Sequence, residues 1–279
     1  MKNHKEIAGR RRERSWVVEN PYKTISILLV VFLVLAGIYY FARSDFTGGT
    51  REKPKIAVAE VEGVIENFEP AHRVSTIAKD NSVAAAVIEI DSPGGYVSPS
   101  FQLESAISTL SENELTVGVV GQLGASGAYL AASAVDNLYV HHDSLVGSLG
   151  VIAVWVSLEE YYENKGIEHY VFQTGPHKDL FAPWRGPTEN EKRMIQNKIY
   201  EIQNRMLNTV SQNRSIPENN LHTLKVVKGE VVRGFQAVPM DLADGIVNTY
   251  EEAIRKAAEE AGLEEGEYKV VSAENIAVS

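Results

Sequence analysis

A serine between small residues is the most chemically suggestive feature of this sequence. Ser126 lies between Gly124 and Gly127, a few residues after the apolar, β-branched run 116–120. That run predicts a buried strand and the Ala-rich stretch 128–135 predicts a helix, so Ser126 would occupy a sharp strand-to-helix turn. The first N–H groups of a helix favour negative charge, which suits a nucleophilic serine. The alternative from this stretch alone is an ordinary N-cap serine.

A nucleophilic serine also needs a base and a donor for the oxyanion. Gly94 and Gly95 follow the predicted strand 84–90 and could turn backbone N–H groups outward as that donor. Two neighbours in one loop are candidate bases: His177, the residue type expected of a Ser-His-Asp triad, and Lys178. A lysine can replace histidine only where burial lowers its pKa and leaves a neutral amine. The residue types alone leave both candidates open.

Several short stretches, in this order, resemble the signal peptide peptidase A family of membrane-anchored Ser-Lys proteases, which is related in fold to the Clp proteolytic subunit and the crotonases. The resemblance covers roughly residues 56–255, and 52 residues (178 − 126) separate Ser126 from Lys178, as in the short, single-unit members. The similar stretches are Asp91–Gly95, Gly124–Tyr129, Gly147–Val151, Gly175–Asp179, Gly229–Ala237 and Leu242–Val247.

The resemblance implies a role for each matching residue. Ser126 matches the nucleophile, Lys178 the general base, and Gly95 with help from Gly94 the oxyanion donor. Ser148 matches the hydroxyl that orients the lysine amine. The family implies no metal ion and no cofactor, a homo-oligomer, and extended hydrophobic peptides, such as the remnants of cleaved signal peptides, as substrates.

Two further expectations concern the dyad and its surroundings. Lys178 should be buried, with the carboxylate of Asp179 pointing away from its amine, since a nearby carboxylate would favour the charged form. The chain departs from the family pattern at residues 182–184, which read Ala-Pro-Trp, and at residues 244–248, which read Asp-Gly-Ile-Val-Asn. Both departures lie outside the dyad. They concern the parts of the family pattern that bear on substrate choice and subunit packing.

Composition limits the remaining possibilities. The chain has 279 residues, 44% of them hydrophobic, which is enough for a full-sized core in one or two domains. Its net charge of −10 argues against a nucleic-acid partner. It has no cysteine, which excludes disulfides, thiol catalysis and zinc sites built on cysteine.

Predicted strands alternate with predicted helices, which indicates an α/β domain with a largely parallel sheet. The resemblance narrows this to a Clp protease/crotonase-like spiral of repeated ββα units. The predicted strands are 56–61, 84–90, 116–120, 137–141 and 169–173, with extended chain at Val226, Val227, Val231 and Val232. The predicted helices are 71–80, 100–110, 128–135, 158–164, about 25 residues from Thr188, 235–243 and 251–261, and the acidic tail after Gly262 is expected at a solvated edge.

The N-terminal region predicts a membrane anchor. Residues 1–23 carry seven Lys or Arg, and residues 24–42 carry no charge and are long enough to cross a bilayer core. Residues 43–55 form a polar tether, and residues 56–279 form the protease domain. The positive-inside bias places residues 1–23 in the cytoplasm and the protease domain outside, in a single-pass protein of the cell membrane. A cleaved signal peptide is the alternative for the apolar segment.

Two functions other than signal peptide degradation remain open. A related Ser-Lys peptidase could cut a specific membrane protein, such as a stomatin-like partner. A chain with a crotonase-like fold could instead bind an acyl thioester in its oxyanion pocket without proteolysis, and would then need neither Ser126 nor Lys178.

The anchor hypothesis predicts the accessibility of the protease domain. Protease added to intact spheroplasts is expected to remove a tag at the C-terminus, because residues 43–279 lie outside the membrane, and to spare a tag at the N-terminus. Immunoblotting of both tags measures this, with a cytoplasmic protein as the integrity control. Full protection of the C-terminal tag would contradict the orientation.

Overall fold

The computed structural model describes residues 26, 29–36, 39 and 53–276. By its contacts the chain divides into two compact units, residues 1–52 and residues 53–279. The described residues of the first unit are helical. Within the described part of the chain, no helix has both the length and the apolarity that crossing a membrane requires.

The predicted N-terminal segments fall almost entirely outside these residues. The basic segment 1–23 is not described, and the predicted span 24–42 is described only in part. Of the predicted tether 43–55, residues 53–55 are described, and the first strand of the second unit begins at Lys55.

The second unit is built on a mixed sheet whose strands are nearly all parallel. The order is β6-β5-β3-β2-β1-β8, with β4 pairing β3 and β7, and the β5–β6 pair is antiparallel. This confirms the predicted α/β class with a largely parallel sheet. The strands are β1 (Lys55–Glu62), β2 (Val83–Ser92), β3 (Leu115–Ala125), β4 (Asn137–Val140), β5 (Leu145–Gly147), β6 (Val231–Arg233), β7 (Gly245–Ile246) and β8 (Lys269–Ser272).

Strand β3 is long enough to take two neighbours on one side. Residues 117–120 pair with β4, and residues 123–125 pair with β5. On its other side β3 pairs with β2 as far as the partners Ser92 and Gly124. The carboxyl ends of β2, β3 and β5 therefore lie side by side, at the edge where parallel α/β sheets bind their ligands.

The sheet is covered on both faces, because its strands alternate buried apolar residues between two cores. In β1, Ala57, Ala59 and Val61 enter one core, whereas Ile56 and Val58 enter the other. Helices α1, α2, α3 and α5 contribute to the first core, and α8 covers the second. The helices are α1 (Glu69–Ile77), α2 (Val97–Ser111), α3 (Gly127–Ala132), α4 (Glu159–Asn164), α5 (Glu189–Asn213), α6 (Glu218–Leu221), α7 (Gly234–Ala237) and α8 (Tyr250–Glu260).

The two long C-terminal helices begin where their sequences provide caps. The side chain of Thr188 accepts a hydrogen bond from the N–H of Glu191, and the Glu191 carboxylate accepts one from the N–H of Thr188. Helix α5 therefore starts with a capping box. Thr249 accepts from the N–H of Glu252 at the start of α8. Both helices lie close to the predicted ranges because these caps are local signals.

Three predicted elements are wrong. Residues 169–173 form no strand, because this exposed segment has no neighbouring strand in the described chain. Val226 and Val227 lie in a 3-10 turn, Lys225–Lys228, with Val226 buried in the core. The predicted helix 235–243 is broken into α7 and a second 3-10 turn, Val238–Met240, because Pro239 lacks the N–H that would continue the helix.

The acidic tail after Gly262 is more ordered than its composition suggests. Residues Lys269–Ser272 form β8, which pairs in parallel with β1 at the edge of the sheet. The predicted solvated edge therefore includes an edge strand, whose residues are exposed or half-buried.

The buried hydroxyl of Tyr129 gives a test of this packing. Tyr129 is fully buried and its hydroxyl donates to the carbonyl of Leu242 at 2.7 Å. Tyr129→Phe leaves that carbonyl without a partner and is expected to lower the free energy of unfolding by about 1–3 kcal/mol. Urea unfolding measures the loss, with Tyr161→Phe at an exposed position as the matched control. Equal stability of the two variants would contradict this account of the core.

Candidate active site

A cavity of about 600 Å³ opens at the edge where the carboxyl ends of β2, β3 and β5 meet. Gly95 follows β2, Ser126 follows β3 and Ser148 follows β5, and all three line this cavity. Parallel pairing brings them together, because Ser92 stands opposite Gly124 and Ala125 opposite Gly147. Three of the predicted site residues are thus gathered by strand register.

Ser126 has a backbone conformation that non-glycine residues rarely adopt, with φ 55° and ψ −122°. The surrounding backbone imposes it: the N–H of Ser126 donates to the carbonyl of Gly147 at 2.8 Å, and its own carbonyl accepts from Leu130 at 3.0 Å. Its hydroxyl makes no capping hydrogen bond and lies 3.4 Å from the carbonyl of Gly150. The side chain therefore does not serve as a helix cap, which was the alternative for this serine.

The two glycines after β2 differ in what their N–H groups do. Gly94 has φ 90°, its N–H donates to the Ser92 hydroxyl at 3.1 Å, and its carbonyl accepts from Ile65 at 2.9 Å. A Cβ on Gly94 would lie 2.7 Å from the nitrogen of Gly127, so only glycine fits against the Ser126 turn. The Gly95 N–H has no acceptor among the described hydrogen bonds. Gly95 also lines the cavity, so Gly95, rather than Gly94, is the candidate donor.

Ser148 also has positive φ, 54°, at the opposite wall. Its N–H donates to the carbonyl of Glu230 at 2.8 Å and its hydroxyl donates to the carbonyl of Gly229 at 3.2 Å. Gln203 of α5 holds the backbone just after Ser148. Its side-chain amide donates to the carbonyl of Leu149 at 3.0 Å and to the carbonyl of Val227 at 2.8 Å. Ser148 is therefore fixed in place, and its hydroxyl oxygen can still accept a hydrogen bond.

The rest of the cavity combines polar and apolar side chains. Two titratable side chains are in its lining, Tyr200 and Lys228. Within the described residues no group of His, Asp or Glu side chains has an arrangement that could hold a metal ion. Apolar lining residues are Val97, Phe101, Leu130, Val151, Ile152, Ile199, Ile202, Met206 and Val227.

The structure does not bring Lys178 to this cavity. Lys178 is exposed and is not in the lining. Its amine has no partner among the hydrogen bonds and ion pairs of the described residues, whereas its backbone N–H donates to the carbonyl of Gly175 at 3.2 Å. The predicted burial of Lys178 is therefore wrong for the single chain: in its loop, residues 174–187, residues 176–178 are exposed. Further along the same loop Ala182 is buried, and its carbonyl accepts from the ring N–H of Trp155 at 3.0 Å. His177 is not in the lining either, and its Nδ1 lies 3.5 Å from a carboxylate oxygen of Glu191.

Arg185 fastens the loop that carries Lys178. Its guanidinium makes two-pronged ion pairs with Asp179, at 2.7 and 2.8 Å, and with Glu191, at 2.7 and 2.8 Å. The hydrogen bonds from Arg185 lower the pKa of the Asp179 carboxyl and hold the pKa of the buried Glu191 carboxyl well below its usual range. Both oxygens of the Asp179 carboxylate are bound by Arg185 and neither by the amine of Lys178, which agrees with the expectation that Asp179 points away from that amine.

Sequence reasoning missed Lys228 and Gln203, which line the cavity, and Arg185, which holds the loop of Lys178 away from it. Lys228 immediately precedes the family-like stretch 229–237 and could have been considered on that ground. Gln203 and Arg185 gave no signal, because a lone Gln on a helix and a lone Arg in a loop are ordinary surface residues. Their roles depend on contacts between segments that are distant in sequence.

The sequence that forms most of this domain matches a known peptidase family. Residues 111–264, more than half of the chain, match the family model described as Peptidase family S49. The chain belongs to peptidase family S49. Relatives named as signal peptide peptidases are among its matches, which confirms the predicted membership of the signal peptide peptidase A family.

Three relatives illustrate the similarity. A protein of Methanocaldococcus jannaschii named as a protease is 32% identical over 190 residues, 67% of this chain and 59% of that protein. A protease-named protein of Synechocystis is 28% identical over 217 residues, 77% of each chain. A protein of Enterococcus faecium named as a signal peptide peptidase is 25% identical over 175 residues, 62% of this chain and 50% of that one. This chain therefore spans only part of the first and third relatives.

The free N–H of Gly95 can be tested by a single methyl group. A Cβ at Gly95 would overlap the carbonyl oxygen of Ile65 and lie 2.6 Å from its nitrogen, so Gly95→Ala must displace this loop. Loss of one oxyanion donor is expected to lower kcat on a peptide substrate about a hundredfold. Gly121→Ala is the matched control, because its Cβ would meet only ordinary contacts of 3.6 Å or more. Full activity of Gly95→Ala would exclude Gly95 as the donor.

Proposed function

We propose that this chain is a serine endopeptidase with a Ser-Lys dyad, in which Ser126 is the nucleophile and Lys178 the general base. The observation that carries the proposal is the Ser126 turn: a strained serine at the carboxyl edge of a parallel sheet, whose hydroxyl does not cap the helix that follows it. Positive φ at a non-glycine residue costs of order 1–3 kcal/mol and is typical of active sites. Membership of peptidase family S49 agrees with this chemistry.

The reaction follows from the positions around Ser126. The hydroxyl oxygen attacks the peptide carbonyl while the neutral amine of Lys178 takes its proton. The N–H of Gly95 and the N–H of Gly127, which begins α3 and has no intrahelical partner, would donate to the tetrahedral oxyanion. The Ser148 hydroxyl would accept a hydrogen bond from the amine and orient it toward Ser126.

The exposed position of Lys178 requires that another surface complete the site. We propose that a second copy of the chain does so, in a homo-oligomer where Lys178 of one copy enters the Ser126 cavity of another. Two exposed segments near this loop, residues 151–158 and 167–173, support this. They belong to no strand and expose large apolar side chains, including Ile152 at 87% and Phe172 at 95%. Covering such side chains is a common role of subunit interfaces.

The proposed substrates are extended, apolar peptides such as the remnants of cleaved signal peptides. The apolar residues in the lining of the cavity suit apolar side chains, and backbone groups at its edge suit an extended chain. The predicted anchor at residues 24–42, with the protease domain of residues 56–279 outside the membrane, would hold the site near such peptides and raise their effective concentration. In this proposal the sheet forms part of a Clp protease/crotonase-like spiral.

The alternatives make different demands on the same residues. A Ser-Lys peptidase that cuts a specific membrane protein would need the same dyad but would leave free signal peptides uncut. A crotonase-like acyl-binding module would need the oxyanion donors and neither Ser126 nor Lys178. No described feature favours either alternative over the proposed function.

The dyad predicts a specific pattern of inactivation. With the full chain in detergent and a fluorogenic apolar signal peptide as substrate, Ser126→Ala and Lys178→Met are each expected to lower kcat by about a thousandfold or more. Lys228→Met is the matched control, since this lysine lines the cavity of its own chain. If Lys228→Met lost turnover while Lys178→Met kept it, the base would be Lys228 and the proposed dyad would be wrong.

The same two inactive variants test the contribution of a second copy. An equal mixture of Ser126→Ala and Lys178→Met chains, dissociated and reassembled, is expected to recover about a quarter of the natural activity, because half of the serines and half of the lysines are intact. Each variant reassembled alone is the control. No recovery in a mixture shown to contain mixed oligomers would mean that both residues act within one chain.

A further inference from the structure

The loop that carries Lys178 is held through one arginine whose donors are fully used. Nε and Nη2 of Arg185 donate to the two oxygens of Asp179, and Nη2 and Nη1 donate to the two oxygens of Glu191. The remaining Nη1 donor binds the carbonyl of Gly186 at 3.0 Å. All five N–H groups of the guanidinium thus have acceptors, a pattern that a lysine with its three donors cannot reproduce.

The buried carboxylate of Glu191 connects Arg185, and through it the loop, to helix α5. Its side chain is 2% exposed, and it also accepts from the N–H and the hydroxyl of Thr188 at 2.9 and 3.0 Å. Arg185 further lies over the ring of Trp155, with 5.1 Å between the guanidinium carbon and the ring centroid. We call Arg185 with Asp179 and Glu191 the Arg185 clamp.

Asp179 is the immediate neighbour of Lys178, and a carboxylate free to approach an amine stabilises its charged form. The clamp takes both Asp179 oxygens and holds them toward the protein, while Lys178 points to solvent. We propose that Arg185 is a positioning residue for the dyad: it withholds the Asp179 carboxylate from the Lys178 amine and fixes the loop from which Lys178 reaches Ser126. This inference rests on the proposed role of Lys178 as the base.

The clamp keeps its charges at pH values above the lowered pKa values of its two carboxyls. Besides Lys178, the charged and titratable groups in or against the loop are His177, Asp179, Arg185, Glu191, Glu159 and His169, whose ring stacks on that of Trp184. Arg185 lowers the pKa of both clamp carboxyls, so the stability they contribute is lost only as pH falls through these lowered values. An acid limb in the activity profile near neutrality therefore does not come from the clamp opening.

The first test is the pH dependence of kcat/KM for the full chain in detergent. Arg185→Lys keeps one positive charge beside Glu191 but cannot hold both carboxylates, so Asp179 is released. The midpoint of the acid limb is expected to rise by about one pH unit, with roughly tenfold lower activity on the acid side. Adding Asp179→Asn to Arg185→Lys is expected to return the midpoint to its original position, because no carboxylate is left to approach the amine.

A second pair of variants removes the risk that a buried charge left without its partner unfolds the loop. Arg185→Gln with Glu191→Gln has no unpaired buried charge, and retains Asp179. Its acid limb is expected to rise by about one pH unit, whereas the same chain with Asp179→Asn added is expected to keep the original midpoint. An unchanged midpoint in the chain that retains Asp179, or a rise that Asp179→Asn does not reverse, overturns the proposal.

Arg214 provides the matched control. It makes a two-pronged ion pair with Asp244 at 2.8 and 2.9 Å, and lies at the opposite end of α5 from Glu191, about 35 Å along the helix. Arg214→Lys is expected to lower thermal stability without moving the acid limb. If it moves the limb as Arg185→Lys does, the effect is general loosening of the fold, and the proposal fails.

Failure of this inference is distinguishable from failure of the proposed function. If Lys178→Met keeps turnover, Lys178 is not the base and the dyad is wrong, whatever Arg185 does. If Lys178→Met abolishes turnover while the limb of Arg185→Lys stays in place, the dyad stands and the positioning role of Arg185 is wrong.

Discussion

The constraint on which the rest of this structure depends is the backbone conformation of Ser126. Strand β3 pairs on one side with β2 and on the other with β5 up to Ala125, and the chain must then turn at once into α3. Positive φ at a serine is the cost of that turn, and hydrogen bonds to Gly147 and Leu130 offset it. Close backbone approach also explains the small residues nearby, since a side chain at Gly94 would strike the Gly127 nitrogen.

The sequence predicted the elements whose signals are local and missed those that depend on a neighbour. The β-branched run 116–120 and the caps at Thr188 and Thr249 identify their elements without any partner. The second half of β3, residues 121–125, has little strand character and is extended because β2 and β5 hold it. In segment 169–173 the local signal is present and the partner is absent. Its apolar, aromatic sequence favours a strand, but no strand of the described chain pairs with it.

The same distinction applies to the site. Ser126, Gly95 and Ser148 each follow a strand, and parallel strands bring their carboxyl ends to one edge, so sequence position was enough to group them. Burial of Lys178 depends on what covers its loop, which is set by contacts that no spacing encodes. Arg185 was missed for the same reason, because its partners Asp179 and Glu191 lie six residues away on either side and nothing in the sequence distinguishes them from surface charges.

Under the proposed mechanism, the two halves of the dyad are held by different kinds of force. The nucleophile and the Gly95 donor are fixed by the backbone hydrogen bonds between β3 and its neighbours β2 and β5, in which no ionisable side chain takes part. The base is carried by a surface loop that ion pairs fasten to a buried glutamate. A chain whose Lys178 stays in solvent would have a formed oxyanion site and no base, so peptide cleavage would wait until a second surface covers the loop. Such an arrangement would separate folding of the serine site from its activation, and would limit proteolysis to the proposed oligomer.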